Sequence, residues 1–191
     1  MARSQTCAEA RRRGNIAAFD PHPSSREGME MFESQASVQV AVPPDQLYAM
    51  VADVTRIPEW SPETVKTEWK EGSSRAEPGA HFVGRNKFGR IQWSMPCVIE
   101  SAEPGRELTW STLYRGRKIT RWTYRFEPRD GGTEVTESYS EAGRIPQPFH
   151  AIYGLMFRRH DKWMPENIKR SLERLKEVAE SKVAAPAAGD R

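Results

Sequence analysis

Among the carboxylates of this 191-residue chain, Glu137 has the spacing that could do chemistry. It alternates in step with Val135 and Tyr139, so a strand that buries those two side chains carries the acid into an apolar space. Burial raises a carboxyl pKa, and a carboxyl titrating near neutrality can act as acid or base in enolisation and dehydration. Rotating the strand so that Thr136 and Ser138 face inward leaves Glu137 as a cross-strand charge partner instead. His160 is the second candidate. It lies three residues after Phe157 and four before Met164, beside the inward stripe of an amphipathic segment, where an imidazole could shuttle protons at neutral pH. The run Arg158-Arg159-His160-Asp161-Lys162 also reads as solvated surface.

Other chemistries find no footing. His22, His81, His150 and His160 have no cysteine or carboxylate at metal-ligand spacing, so neither a metal nor another cofactor is expected. There is no G-x-S-x-G elbow, Walker loop or G-x-G-x-x-G fingerprint. A net charge of +3 is far from the one-sided density of a nucleic-acid binder, and the basic hairpin tips around Arg85, Arg90 and Arg117 read as solubilising surface. Cys7 and Cys97 stand in dissimilar contexts, which speaks against a disulfide and for a reducing cytoplasm. No stretch approaches the roughly 20 apolar residues of a membrane span. Residues 1–31 read as a disordered extension, with Met29 or Met31 as an alternative start; intact mass of the native protein decides between starts.

The elements that would position these groups follow from periodicity. Ala36, Val38, Val40 and Val42 alternate with polar or small residues, giving a first strand over 34–42. Pro43-Pro44-Asp45 ends it and opens a helix with the stripe Leu47, Tyr48 and Val51, and a brief second helix fits Val54 to Trp60. From Thr64 to Tyr139 the period stays at two, broken by glycine-bearing turns at short intervals, which implies six antiparallel strands. Val65, Thr67 and Trp69 share one parity; so do Phe82, Gly84 and Asn86, and Ile91, Trp93, Met95, Cys97 and Ile99. Pro96, on the opposite parity, implies a bulge or an edge.

A long helix closes the domain. Tyr153, Phe157, Met164, Ile168, Leu172, Leu175 and Ala179 form one apolar stripe between about Phe149 and Lys182, Pro165 predicts a kink or break near Met164, and 183–191 reads as a tail. Trp69, Trp93, Trp110, Trp122 and Tyr124 fall on the apolar parity of successive strands. Rings of that bulk would hold the helix off the sheet and leave a pocket, with Trp60 at its rim; the same rings could equally be plain core.

The order strand, two short helices, six strands, long helix is similar to that of the START-like, or SRPBCC, superfamily. Trp60-Ser61-Pro62-Glu63, Phe82-Val83-Gly84-Arg85-Asn86, Trp93, Ala102-Glu103-Pro104-Gly105-Arg106, Trp122-Thr123-Tyr124 and Gly132-Thr133-Glu134-Val135-Thr136-Glu137-Ser138 resemble its polyketide cyclase/dehydrase-like branch. The resemblance covers about Phe32 to Ser181 and implies an α+β helix-grip (Bet v 1-like) domain over 32–182, a curved antiparallel sheet wrapped around a long C-terminal helix. It also implies a cavity for a hydrophobic small molecule, lined by Trp60, Glu63, Asn86, Trp93, Trp110, Trp122, Tyr124, Tyr139 and Phe157. Asn86 could orient a ligand carbonyl or hydroxyl, or be a turn residue beside Gly89; Glu63 could face the cavity, or cap a loop or pair with a surface arginine. Cyclase or dehydratase chemistry on a poly-β-keto substrate is the leading expectation. A non-catalytic carrier or sensor is the alternative, and a protein-interaction module a third. The expected partner is the small molecule, with no nucleic acid, no stable membrane insertion, and a monomer or homodimer.

Overall fold

The computed structural model describes residues 33–143 and 160–184. The N-terminal extension, Tyr153, Phe157 and the tail beyond Ala184 lie outside the described residues. The elements run β1 (Glu33–Val40), α1 (Pro44–Ala52), a 3₁₀ helix (Val54–Glu59), β2 (Thr64–Lys70), β3 (His81–Phe88), β4 (Ile91–Glu103), β5 (Glu107–Tyr114), β6 (Arg117–Arg129), β7 (Gly132–Glu141) and α2 (His160–Ala184). The strands form one seven-stranded sheet in the order β1-β7-β6-β5-β4-β3-β2, antiparallel throughout. Short turns between sequential strands produce this meander, and only β1 is carried across to the far edge. The result is the curved sheet and long C-terminal helix of a helix-grip fold.

Three bulges bend the sheet, because an extra residue on one strand kinks it and increases the local twist. They lie between Thr64 and Lys66 in β2, between Ile99 and Ser101 in β4, and at Ile119 in β6, opposite Thr112 and Leu113 of β5. The first overturns part of the parity reading. Val65 is the extra residue and is 54% exposed, so Thr64, not Val65, joins Thr67 on the concave side. Pro96 sits at no bulge, and β4 is an inner strand. Yet the ladder of β4 with β5 begins only at Cys97↔Thr112, so at Pro96 the strand pairs with β3 alone and is locally an edge that loses nothing to the missing N–H.

The helices fill the concavity. Pro44 opens α1, which buries Leu47, Tyr48, Met50 and Val51, with Tyr48 edge-on to Phe126 at 5.7 Å. The Asp53 side chain then accepts from Thr55 N and Thr55 Oγ1 and caps the 3₁₀ turn. Helix α2 buries Met164, Ile168, Leu172, Leu175 and Ala179, the stripe read from its spacing. It continues unbroken through Pro165, contrary to the expected break. The hydrogen bond that proline forfeits would have reached the carbonyl of residue 161, in the opening turn, where its loss costs least. Trp163 packs on Phe88 at the β3–β4 tip with ring centroids 5.0 Å apart. At the other end Lys176 Nζ donates to the Gln39 carbonyl (2.8 Å) and Glu180 Oε1 accepts from Ala41 N (2.9 Å), clamping the helix to β1.

Gly132 opens β7 at a φ of 157°, and a Cβ there would collide with the Val40 carbonyl of β1. The obstacle is backbone and cannot rotate away. Gly132→Ala is therefore expected to lose about 2 kcal/mol of stability, measured by urea unfolding; an unchanged midpoint would show that β1 yields freely.

Candidate functional site

Between the concave face and α2 lies a cavity of about 210 Å³. The registers dictate its walls. Trp110 pairs with Trp122 and Trp122 with Tyr139, so one row of aromatics crosses β5, β6 and β7; the next row places Leu108, Tyr124 and Glu137 side by side. Trp110 stacks on Tyr124 (5.6 Å, 17°), Phe82 meets Trp110 edge-on (6.1 Å), and Trp122 meets Tyr139 edge-on (4.9 Å). Half-buried Asn86, Trp93, Met95, Trp122 and Glu141 line the more open side, while Ile57, Met164 and Ile168 close the helical side.

A polar seam runs through this apolar lining. Glu137, 4% exposed, points into the cavity, with the hydroxyls of Tyr124 and Ser171 against its carboxyl. Burial pushes its pKa up to about 7, although hydrogen bonding from Tyr124 and then Ser171 pulls the other way. Burial also raises Tyr124 well above its ordinary value, and the Glu137 charge adds to that. One helical turn before Ser171, Asn167 donates from Nδ2 to Glu63 Oε2 at 3.4 Å. Both Asn167 and Glu63 are buried. Glu137 Oε2 and Asn167 Oδ1 have no hydrogen-bond partner of normal geometry. Cys97 also lines the cavity, but burial drives its thiol up to about 12, which leaves it a poor nucleophile. Among the described residues no cluster of three or more His, Cys, Asp or Glu side chains is arranged to hold a metal ion.

The cavity collects Glu63, Asn86, Trp93, Trp110, Trp122, Tyr124, Glu137 and Tyr139. Glu137 thus faces inward, and Thr136 and Ser138 outward of it are half-buried. Asn86 accepts from Thr64 Oγ1 at 2.9 Å across the β2–β3 pair. Trp60 is not at a rim. It is wholly buried and absent from the lining: its backbone N–H donates to the Ile57 carbonyl (3.2 Å) at the end of the 3₁₀ turn, and its indole lies in the core beside Tyr124. Its indole N–H closes no hydrogen bond of normal geometry there. Trp69 packs edge-on against Phe82 (6.0 Å) outside the cavity. His160 supplies the first residue of α2, while its side chain and all of Phe157 lie outside the described residues. Asn167 and Ser171 went unseen in the sequence. Their signal was present: they stand four apart on a helix, each three residues after a stripe position, Met164 and Ile168, which puts them on the stripe's flank.

Residues 31–180 match the family described as polyketide cyclase / dehydrase and lipid transport. The chain belongs to this family. Its fold recurs in solved structures. The Polyketide_cyc-like protein Cgl2372 from Corynebacterium glutamicum is 28% identical, with 84% of this chain and 99% of that one covered and a TM-score of 0.58. The Zhui aromatase/cyclase from Streptomyces sp. R1128 is 17% identical over 84% of this chain and 100% of that one, at a TM-score of 0.64. Ara h 8.0201 is 14% identical over 79% and 99%, at 0.52. None of the curated proteins matches significantly in sequence. Family and neighbours establish the START-like helix-grip architecture, whose cavity here is walled by aromatics and crossed by the Glu137 seam. Among the described residues no helix is long and apolar enough to cross a membrane.

Proposed function

We propose that this protein is a cytoplasmic enzyme, monomeric or homodimeric, that binds a small, largely apolar carbonyl compound and uses Glu137 as acid and base in a cyclisation or dehydration. The observation that carries the reading is a buried carboxyl, Glu137, poised near pH 7 inside an aromatic-walled cavity. As a carboxylate, Glu137 takes a proton from a carbon between two carbonyls, and the C–H electron pair moves onto the carbonyl oxygen as an enolate. The enolate carbon can then attack a second carbonyl of the same chain. The protonated Glu137 returns its proton to the alkoxide that this attack creates, giving a hydroxyl. Glu137 then removes the remaining proton of the same carbon, the carbon–carbon double bond forms as the hydroxyl departs, and the proton on Glu137 goes to it, so that it leaves as water. The cavity supplies proximity by folding the chain, and no strong nucleophile is needed. Family membership and the aromatase/cyclase among the structural neighbours support this class of chemistry.

The family description also names lipid transport, and a carrier would use the same cavity without the proton. Deuterium exchange at the central carbon of an aryl β-diketone, followed by NMR, separates the two. The protein is expected to accelerate exchange, and Glu137→Gln to reduce that acceleration by about a hundredfold while the diketone still binds. Equal exchange by both proteins with binding intact would leave the carrier.

A further inference from the structure

The two unpartnered polar atoms among the residues that line the cavity are of one kind. Glu137 Oε2 and Asn167 Oδ1 are both buried, neither has a hydrogen-bond partner of normal geometry, and both belong to residues that line the same space. The amide oxygen is an acceptor in any protonation state, and a carboxylate is an acceptor only. The orientation of the Asn167 amide is fixed by its neighbour, because its Nδ2 is spent on Glu63 Oε2. Buried polar atoms are ordinarily satisfied, so two orphaned acceptors facing one cavity mark what is missing from it: a donor. The charges agree. The lining carries three carboxylates, Glu63, Glu137 and Glu141, and among the described residues no lysine, arginine or histidine, although the chain as a whole is net positive. The surrounding tryptophan and tyrosine faces favour a cation or an edge-on hydroxyl over an anion.

We propose that the cavity selects apolar molecules bearing a hydrogen-bond-donating head, a hydroxyl or a protonated amine, which docks between Glu137 and Asn167, and that it rejects carboxylates of the same size. This deepens the reading of the cavity as a small-molecule site and rests on it. For the proposed chemistry it means that an enol or phenol is held more tightly than the keto form from which it arises.

Four naphthalenes matched in body and differing in head, naphthylmethanol, naphthylmethylamine, naphthoate and methylnaphthalene, test it by calorimetric titration of the full chain at pH 8. The alcohol, the amine or both should bind about tenfold more tightly than methylnaphthalene, the worth of one buried hydrogen bond, and naphthoate should bind more weakly than methylnaphthalene. Which donor wins identifies the head as hydroxyl or ammonium. Glu137→Gln should shrink the amine's advantage and leave methylnaphthalene unchanged. If methylnaphthalene binds as well as both donors, or naphthoate binds as tightly as either, donor selection is wrong while the cavity reading stands. Failure of all four to bind would overturn the cavity reading and the inference with it.

Discussion

Glu137→Gln is expected to be more stable than the wild-type protein at pH 8, by about 3 kcal/mol, and equal to it near pH 4. The ordinary carboxyl value of 4.5 rises to about 7 in the folded protein. Between those two values the native state holds a proton that the unfolded chain has released, so stability falls as pH climbs through the interval. Below 4.5 both states are protonated and the raised value costs nothing; above 7 the full cost of burying a charge is present. Each unit corresponds to about 1.4 kcal/mol, which gives the figure above. Glutamine copies the neutral carboxyl in shape and never ionises. Urea unfolding of both proteins at the two pH values measures the difference, and a gain that is the same at both would mean that Glu137 does not titrate in this range. Glu59 responds in the opposite direction, since its hydrogen bond to Arg56 lowers it to about 2, but it is common to both proteins and cancels. A residue that weakens the fold at the pH where it can act as a base is what a functional carboxyl, rather than a structural one, predicts.

Trp60→Ala should remove about 3 to 5 kcal/mol, the largest single loss expected in the domain. The side chain is fully buried and joins the 3₁₀ turn to the floor beneath Tyr124. Truncation opens a void that the surrounding backbone, pinned by the Asp53 cap and the β2 bulge, has little freedom to fill. Trp60→Phe should cost far less, because the indole N–H makes no hydrogen bond of normal geometry and its removal leaves none broken. Chemical denaturation of both variants checks the pair. A phenylalanine variant as unstable as the alanine one would show that the N–H is bonded in solution.

Much of this arrangement could be read before the structure. Glu137 was legible because β7 carries no bulge, and period two holds from Thr133 to Tyr139. Trp110, Trp122 and Tyr124 were legible because they lie in the unshifted part of the β5–β6 ladder, away from the bulge at Ile119. Where a bulge intervenes, the alternation reverses without any mark in composition: Val65 looks like a core residue and is the extra one. Trp60 was misplaced because proline on either side reports a turn, not the direction in which the turn sends its ring. Asn167 and Ser171 were hidden by a different cause. Reading a helix for its apolar stripe ranks positions by hydropathy, so the polar residues that the stripe carries into a cavity are the ones it passes over.

The clamp between α2 and β1 has a consequence for how copies of this molecule meet. An open sheet ends in two strands whose outward N–H and C=O groups could each accept another chain. On β1, the Gln39 carbonyl is occupied by Lys176, and Glu180 takes the neighbouring Ala41 N–H. On β2, the opposite border, Lys66, Glu68 and Lys70 stand charged along a strand already interrupted by its bulge. Both borders are thus interrupted as templates for a second sheet, β1 at its C-terminal end by the helix and β2 at its bulge by an unpaired residue.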